Sequence, residues 1–191
     1  DSHCHLELES VVRDRGDDIA RALDRGIANM LTVATERRYF ERAVSLADDY
    51  EQVYASLGVH PHNAEELTGP VVAAMKSSFR HRKVVACGEI GLDFYRNYAP
   101  REAQMRAFIE QIELAREHRL PIVVHSRDAR EDTLEILERH YRPQPPGIMH
   151  CYSYDVATAR RLLDMGFYIS IPGTITYRNN QDLERVVRYV P

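Results

Sequence analysis

Val84-Val85-Ala86-Cys87-Gly88-Glu89 is a short apolar run that closes on a carboxylate, and its pattern recurs along the chain. Ile122-Val123-Val124-His125-Ser126-Arg127 and Gly147-Ile148-Met149-His150 close on imidazole instead. Leu57-Gly58-Val59-His60-Pro61-His62 ends another apolar run, and Asp1-Ser2-His3-Cys4-His5 opens the chain with the same residue types. Short apolar runs bounded by turn residues read as buried strands.

The segments between them carry helical spacing. Residues 17–23 read as a short helix stopped by Gly26, and residues 39–50 place Phe40, Ala43, Val44, Ala47 and Tyr50 on one face. Residues 71–79 form a weaker helix. Residues 101–118 form the clearest one, with Met105, Phe108, Ile109, Ile112 and Ala115 in one core stripe and Pro121 beyond its end. Further helices are expected at 132–141 and 156–165, the second capped by Asp155 and left through Gly166. Strands are expected at 27–33, 53–59, from Val84, from Ile122, at Ile148 and at 167–171. With the stub at Asp1, that makes seven strand positions in a single domain over residues 1–191. Alternating strands and helices predict an α/β protein with a parallel sheet. Candidate ligands at nearly every strand end favour a TIM (β/α)8 barrel over an open sheet, because a barrel collects its active site at that face.

The apolar fraction of 44% is ordinary for a soluble protein. No apolar run approaches the roughly 20 residues that span a bilayer, and nothing resembles a signal peptide. A cytoplasmic protein without membrane contact is the expectation, with a monomer as the default. Cys4, Cys87 and Cys151 lack C-x-x-C spacing, which argues against a disulfide framework or structural zinc. They read as metal ligands or as small buried hydrophobes, and the second reading is preferred because imidazole and carboxylate already fill the strand ends. Of 25 lysines and arginines, only Lys76 and Lys83 are lysine. Arginine suits bidentate phosphate contacts, although a compositional bias explains the same count. A net charge of −4 argues against a broad basic groove for nucleic acid. A phosphate-bearing substrate would therefore be held by metals and a few local arginines. His81, His118 and His140 lie in charged stretches and read as solvated.

His3 and His5 stand two apart on a strand, so both imidazoles project to one side and can chelate one ion while Cys4 points away. Glu89 lies between glycines that let the backbone approach closely. A carboxylate there can bridge two cations about 4 Å apart, as two-metal hydrolases require; the bland alternative is a pair with an arginine. Asp93 suits a supporting role, orienting a histidine by accepting its free N–H. His125 and His150 would complete a second metal's coordination. Arg127 is placed to meet a phosphate or a developing oxyanion, or else forms a surface ion pair. His60 and His62, separated by Pro61, are expected to touch substrate or support the ligands rather than bind metal.

Together, Asp1-Ser2-His3-Cys4-His5, Gly58-Val59-His60-Pro61-His62, Gly88-Glu89-Ile90-Gly91-Leu92-Asp93, His125-Ser126-Arg127 and His150-Cys151 resemble the TatD family of metal-dependent hydrolases. The resemblance runs in order over essentially the whole chain. It implies a TIM barrel of the amidohydrolase-like type and two divalent cations, Mg²⁺, Mn²⁺ or Zn²⁺. By it, His3 and His5 hold one ion, Glu89 bridges, and His125 and His150 hold the other. The implied activity is hydrolysis of phosphodiester bonds in DNA, as a 3′–5′ exonuclease, with RNA or tRNA as substrates of some relatives. The resemblance also implies an eighth strand with a metal-binding aspartate. A TIM barrel typically needs about 250 residues, so the expectation is a chain truncated by one strand–helix unit at its C-terminal side.

Two alternatives stand beside this reading. A D-aminoacyl-tRNA deacylase or another amidohydrolase would act on an ester or amide. Many of these bridge their metals with a carboxylated lysine at a strand end, where neither Lys76 nor Lys83 lies. A non-catalytic, inactive open barrel would instead expose strand edges and associate.

Overall fold

The computed structural model describes residues 1–10, 14–142 and 145–191. Six parallel strands form one sheet in sequence order: β1 (Met30–Ala34), β2 (Val53–Leu57), β3 (Val84–Asp93), β4 (Ile122–Arg127), β5 (Ile148–Met149) and β6 (Tyr168–Ile169). Parallel neighbours need crossovers, and helices supply them. After α1 (Arg15–Asp24) come α2 (Phe40–Asp49), α3 (Gly69–Ser78), α4 (Arg101–His118), α5 (Arg130–His140), α6 (Val156–Asp164) and α7 (Gln181–Tyr189), one after each strand. Helices on the outer face and side chains within leave β1 to β4 buried on both faces, which explains why these strands read as near-continuous apolar runs.

The expected strand at the start of the chain is reduced to a single bridge. Cys4 N–H donates to Leu31 O, and Val33 N–H donates to Cys4 O, each at 2.9 Å, beside β1. The sheet is rolled but not closed: among the described residues, β6 has no strand beyond it. The extent of rolling is visible at the strand ends. In a flat sheet the stub and β5 would lie about 24 Å apart, five spacings of ~4.8 Å. Yet the ring of His3 stacks on that of His150, just past β5, at 3.5 Å.

Capping follows the sequence signals. Asp14 accepts from Asp17 N–H at the start of α1, and Asp155 accepts from both Thr158 N–H and its hydroxyl at the start of α6. Gly26 and Gly166 take positive φ of 87° and 85° just past the ends of α1 and α6. The helix α7 was not expected. Its stripe is narrow, with only Leu183 and Val186 buried among charged neighbours.

The α4 stripe also differs from expectation. Phe108, Ile112 and Ala115 are buried as anticipated, whereas Met105 and Ile109 are only partly so. The buried face includes Gln104 and Gln111, two turns apart. Gln111 accepts from Val59 N–H at 2.7 Å and donates back to Val59 O at 3.0 Å. Gln104 accepts from Asp93 N–H at 2.8 Å and donates to Asp93 O at 3.2 Å and Ala99 O at 2.9 Å. The longest helix thus holds the two segments that leave β2 and β3, which carry His60, His62 and Asp93.

Candidate metal centre

Glu89 sits where β3 departs from regular pairing. The β3–β4 register jumps from Gly88 opposite Val123 to Ile90 opposite Val124, which makes Glu89 the unpaired residue of a bulge. Bulges re-aim side chains beside active sites. Two residues on, Gly91 has φ 141°, and a Cβ there would lie 1.9 Å from His125 O. Only glycine lets β3 lie this close to the backbone of the histidine that Glu89 meets.

The two oxygens of Glu89 face different imidazoles. Oε1 accepts from His125 Nδ1 at 2.8 Å, and Oε2 lies 3.4 Å from His3 Nε2. His3 Nε2 is in turn 3.3 Å from His5 Nε2. Among the described residues, two groups bring one ligand atom each within 4.8 Å of one another: His3, His5 and Glu89, and His60, Glu89 and His125. Glu89 belongs to both. His60, expected in a supporting role, therefore stands with the second group. His150 belongs to neither; its ring lies on that of His3, with 15° between planes.

Two further carboxylates hold these imidazoles. Asp93 Oδ2 is 2.9 Å from His62 Nε2 and 3.2 Å from His125 Nε2, while its Oδ1 accepts Tyr95 and Arg96 N–H. Glu7 was missed in the sequence. It is fully buried; its Oε1 is 3.0 Å from His5 Nδ1, and its Oε2 accepts the Thr32 hydroxyl at 2.5 Å. The signal was available: a carboxylate two residues beyond His5, on the same alternation as His3 and His5.

Burial and charge divide the histidines. Burial pushes His3 and His60 down to about 3, with neighbouring imidazoles adding to it and the Glu89 charge opposing, so both rings stay neutral. Burial also lowers His150. It would lower His5 and His125 too, but the bond to Glu7 in one case and to Glu89 in the other outweighs it, and both are raised. Burial would raise the Glu89 carboxyl, yet His125, His3 and His60 hold it well below the usual carboxylate range. Asp93 is also lowered: burial opposes, and the Arg96 N–H and His62 bonds prevail.

The donor set fits divalent cations. Neutral imidazoles and a shared carboxylate are ordinary ligands for them. The Nδ1 atom of His150 is buried with no hydrogen-bond partner, which is costly without a ligand. No cysteine enters either group among the described residues. Burial pushes the Cys4 thiol up to about 11, where it stays protonated and donates to Leu31 O. Cys87 is buried, whereas Cys151 is exposed at φ 47°. Arg127 is exposed and makes no ion pair among the described residues; its guanidinium lies 3.9 Å over the Tyr95 ring. The remaining histidines stand apart from this centre and, though expected to be solvated, are half-buried: His81 beside Asp48, His140 beside Glu113 and His118 against the Phe79 ring.

Known proteins resemble this chain in sequence and fold. The chain is 39% identical over its full length to the uncharacterized metal-dependent hydrolase YcfH of Escherichia coli K12, covering 72% of it. It is 32% identical over 98% of its length to the 3′-5′ ssDNA/RNA exonuclease TatD of Citrobacter koseri, again covering 72%. The crystal structure of YjjV, a TatD homolog from E. coli, superposes on the whole chain with a TM-score of 0.92 at 32% identity, and 74% of that chain is covered. The family described as TatD related DNase matches residues 1–191. Sequence, superposition and the histidine–carboxylate cluster agree, and this chain belongs to that family of metal-dependent hydrolases.

Proposed function

We propose that the protein is a divalent-metal-dependent phosphodiesterase acting on DNA, a 3′–5′ exonuclease with single strands as its substrate, working as a cytoplasmic monomer. One observation carries the reading: the Glu89 carboxylate is common to both ligand groups. Two divalent cations held there, whether Mg²⁺, Mn²⁺ or Zn²⁺, would supply the Lewis-acid charge that phosphodiester hydrolysis needs. His3 and His5 would hold one ion and His125 the other, with His60 and His150 the candidates to complete the second set. Glu7 fixes the ring of His5, and Asp93 fixes those of His62 and His125. Arg127, without an ion-pair partner among the described residues, is available to a phosphate oxygen. The exonuclease named among the relatives supports the substrate class.

The lysines weaken the case for an amidohydrolase bridged by carboxylated lysine. Lys83 precedes β3, and its Nζ donates to the carbonyls of Tyr50, Glu51 and Val53, six residues before Glu89. Lys76 lies on α3 and pairs with Glu117. The test is a 5′-labelled single-stranded oligonucleotide with Mn²⁺ or Mg²⁺. A ladder shortening from the 3′ end, abolished by EDTA and by Glu89→Ala, is expected. A metal-loaded protein that leaves DNA and RNA intact but deacylates charged tRNA would replace this reading with the deacylase one.

A further inference from the structure

The segment that follows β3 puts two tyrosines at the edge of the metal centre. Tyr95 and Tyr98 are 55% and 66% exposed. Neither is loosely held. Tyr95 N–H and Arg96 N–H both donate to Asp93 Oδ1, and Asn97, at φ 50°, donates its side-chain N–H to Phe94 O at 2.7 Å. The Tyr98 ring packs in a T-shape with that of His62, 4.7 Å between centroids, and His62 shares Asp93 Oδ2 with His125. Tyr95 carries the Arg127 guanidinium over its ring, 3.9 Å from the centroid, with that of Arg96 further off at 5.3 Å, and Arg127 itself stands opposite Asp93 in the β3–β4 register. Two exposed aromatic surfaces are thus tied, through one aspartate, to the histidine that bonds the shared carboxylate.

Charge alone gives this chain little hold on a nucleic acid, since its net charge is −4. Bases stacking on aromatic rings bind independently of that charge and of sequence, because every base has a π-face. We propose that Tyr95 and Tyr98 form a stacking platform for the unpaired bases of a single-stranded nucleic acid, with Arg127, seated over the Tyr95 ring, available to the backbone phosphates. A paired duplex keeps its base faces occupied, so the platform selects single strands. The inference rests on the phosphodiesterase reading above and extends it to the substrate's bases.

The test separates the two. Binding of a fluorescent hexamer of thymidylate is measured by anisotropy in EDTA, where no turnover occurs, and hydrolysis of the same hexamer is measured with Mn²⁺. Tyr95→Ala and Tyr98→Ala are each expected to weaken binding about tenfold, while Tyr98→Phe, which keeps the ring, stays within about twofold of the wild type. A hexamer of abasic units should bind the wild type about tenfold more weakly and lose nothing more in Tyr98→Ala. Equal affinities in the wild type and both alanine variants, or no binding by the wild type, overturn the platform. A Tyr98→Phe loss as large as that of Tyr98→Ala does the same. Binding with this pattern but without hydrolysis upholds the platform and overturns the phosphodiesterase reading.

Discussion

The imidazoles of His3 and His150 lie face to face, 3.5 Å between centroids and 15° between planes. They come from the chain's first residues and from the exit of β5, so their contact records how far the sheet has rolled. Each has a buried Nδ1 without a hydrogen-bond partner. A purely structural stack has no use for the His150 nitrogen, whereas a metal ligand does; His3 meets Glu89 through its other nitrogen, Nε2.

His150→Phe separates the two roles. The substitution keeps a ring on His3 and removes the nitrogens, so the metal-free protein should lose less than about 1.5 kcal/mol of stability. The stabilisation by Mn²⁺ should shrink by about 1.4 kcal/mol for each tenfold loss of affinity. Thermal melts with EDTA and with Mn²⁺ measure both. An undiminished Mn²⁺ shift would leave His150 as a packing residue only.

Glu7 offers a handle on the ion that His3 and His5 would hold. Its carboxylate fixes the ring of His5 and is itself held by Thr32. Glu7→Gln keeps the volume but removes the charge, and metal affinity should fall about 10-fold or more. Calorimetric titration with Mn²⁺ is the measurement, and an unchanged dissociation constant would show that His5 needs no such partner.

Metal binding should release protons. His5 and His125 are raised above the ordinary histidine value by Glu7 and Glu89, so without metal both carry protons at pH values where a free imidazole has begun to lose them. An ion must displace those protons to coordinate the rings. Apparent affinity therefore rises with pH up to the raised values of His5 and His125 and levels off once pH passes them. His3 and His60, held near 3, add nothing in that window. Titrations in buffers of different ionisation enthalpy count the protons, and a count of zero at pH 6.5 would contradict the assignment.

Gln111→Leu removes the only side-chain partners of the Val59 peptide among the described residues. A buried N–H and C=O left unpaired should cost about 2–4 kcal/mol together. The shift in urea midpoint measures it. A loss below about 0.5 kcal/mol, the range of ordinary surface substitutions, would show that the segment carrying His60 and His62 finds other partners.

Much of this was legible in the sequence. The apolar runs ending in His125, His150 and Glu89 alternate with helical segments, and that alternation pointed to a parallel α/β sheet, because parallel neighbours need crossover helices. The pairing of His3 with His5 follows from strand alternation alone. Three things were not legible. That the ring of His150 turns to His3 while His60 approaches Glu89 depends on the rolling of the sheet and on the bulge at Glu89, and both are properties of pairing between distant strands. Gln104 and Gln111 lie outside the apolar stripe read for their helix, and nothing in that helix shows that they face the Asp93 and Val59 peptides. The short β5 and β6 carry too few residues to mark their own ends.

The central claim is that one carboxylate serves both ions. Mn²⁺ titration of the wild type and of Glu89→Gln tests it most directly, with circular dichroism to confirm that the variant is folded. The account predicts two binding events in the wild type and the weakening of both in the single variant, by tenfold or more each. One event retained at wild-type affinity in Glu89→Gln would show that Glu89 serves a single ion, and the shared-carboxylate account would fail.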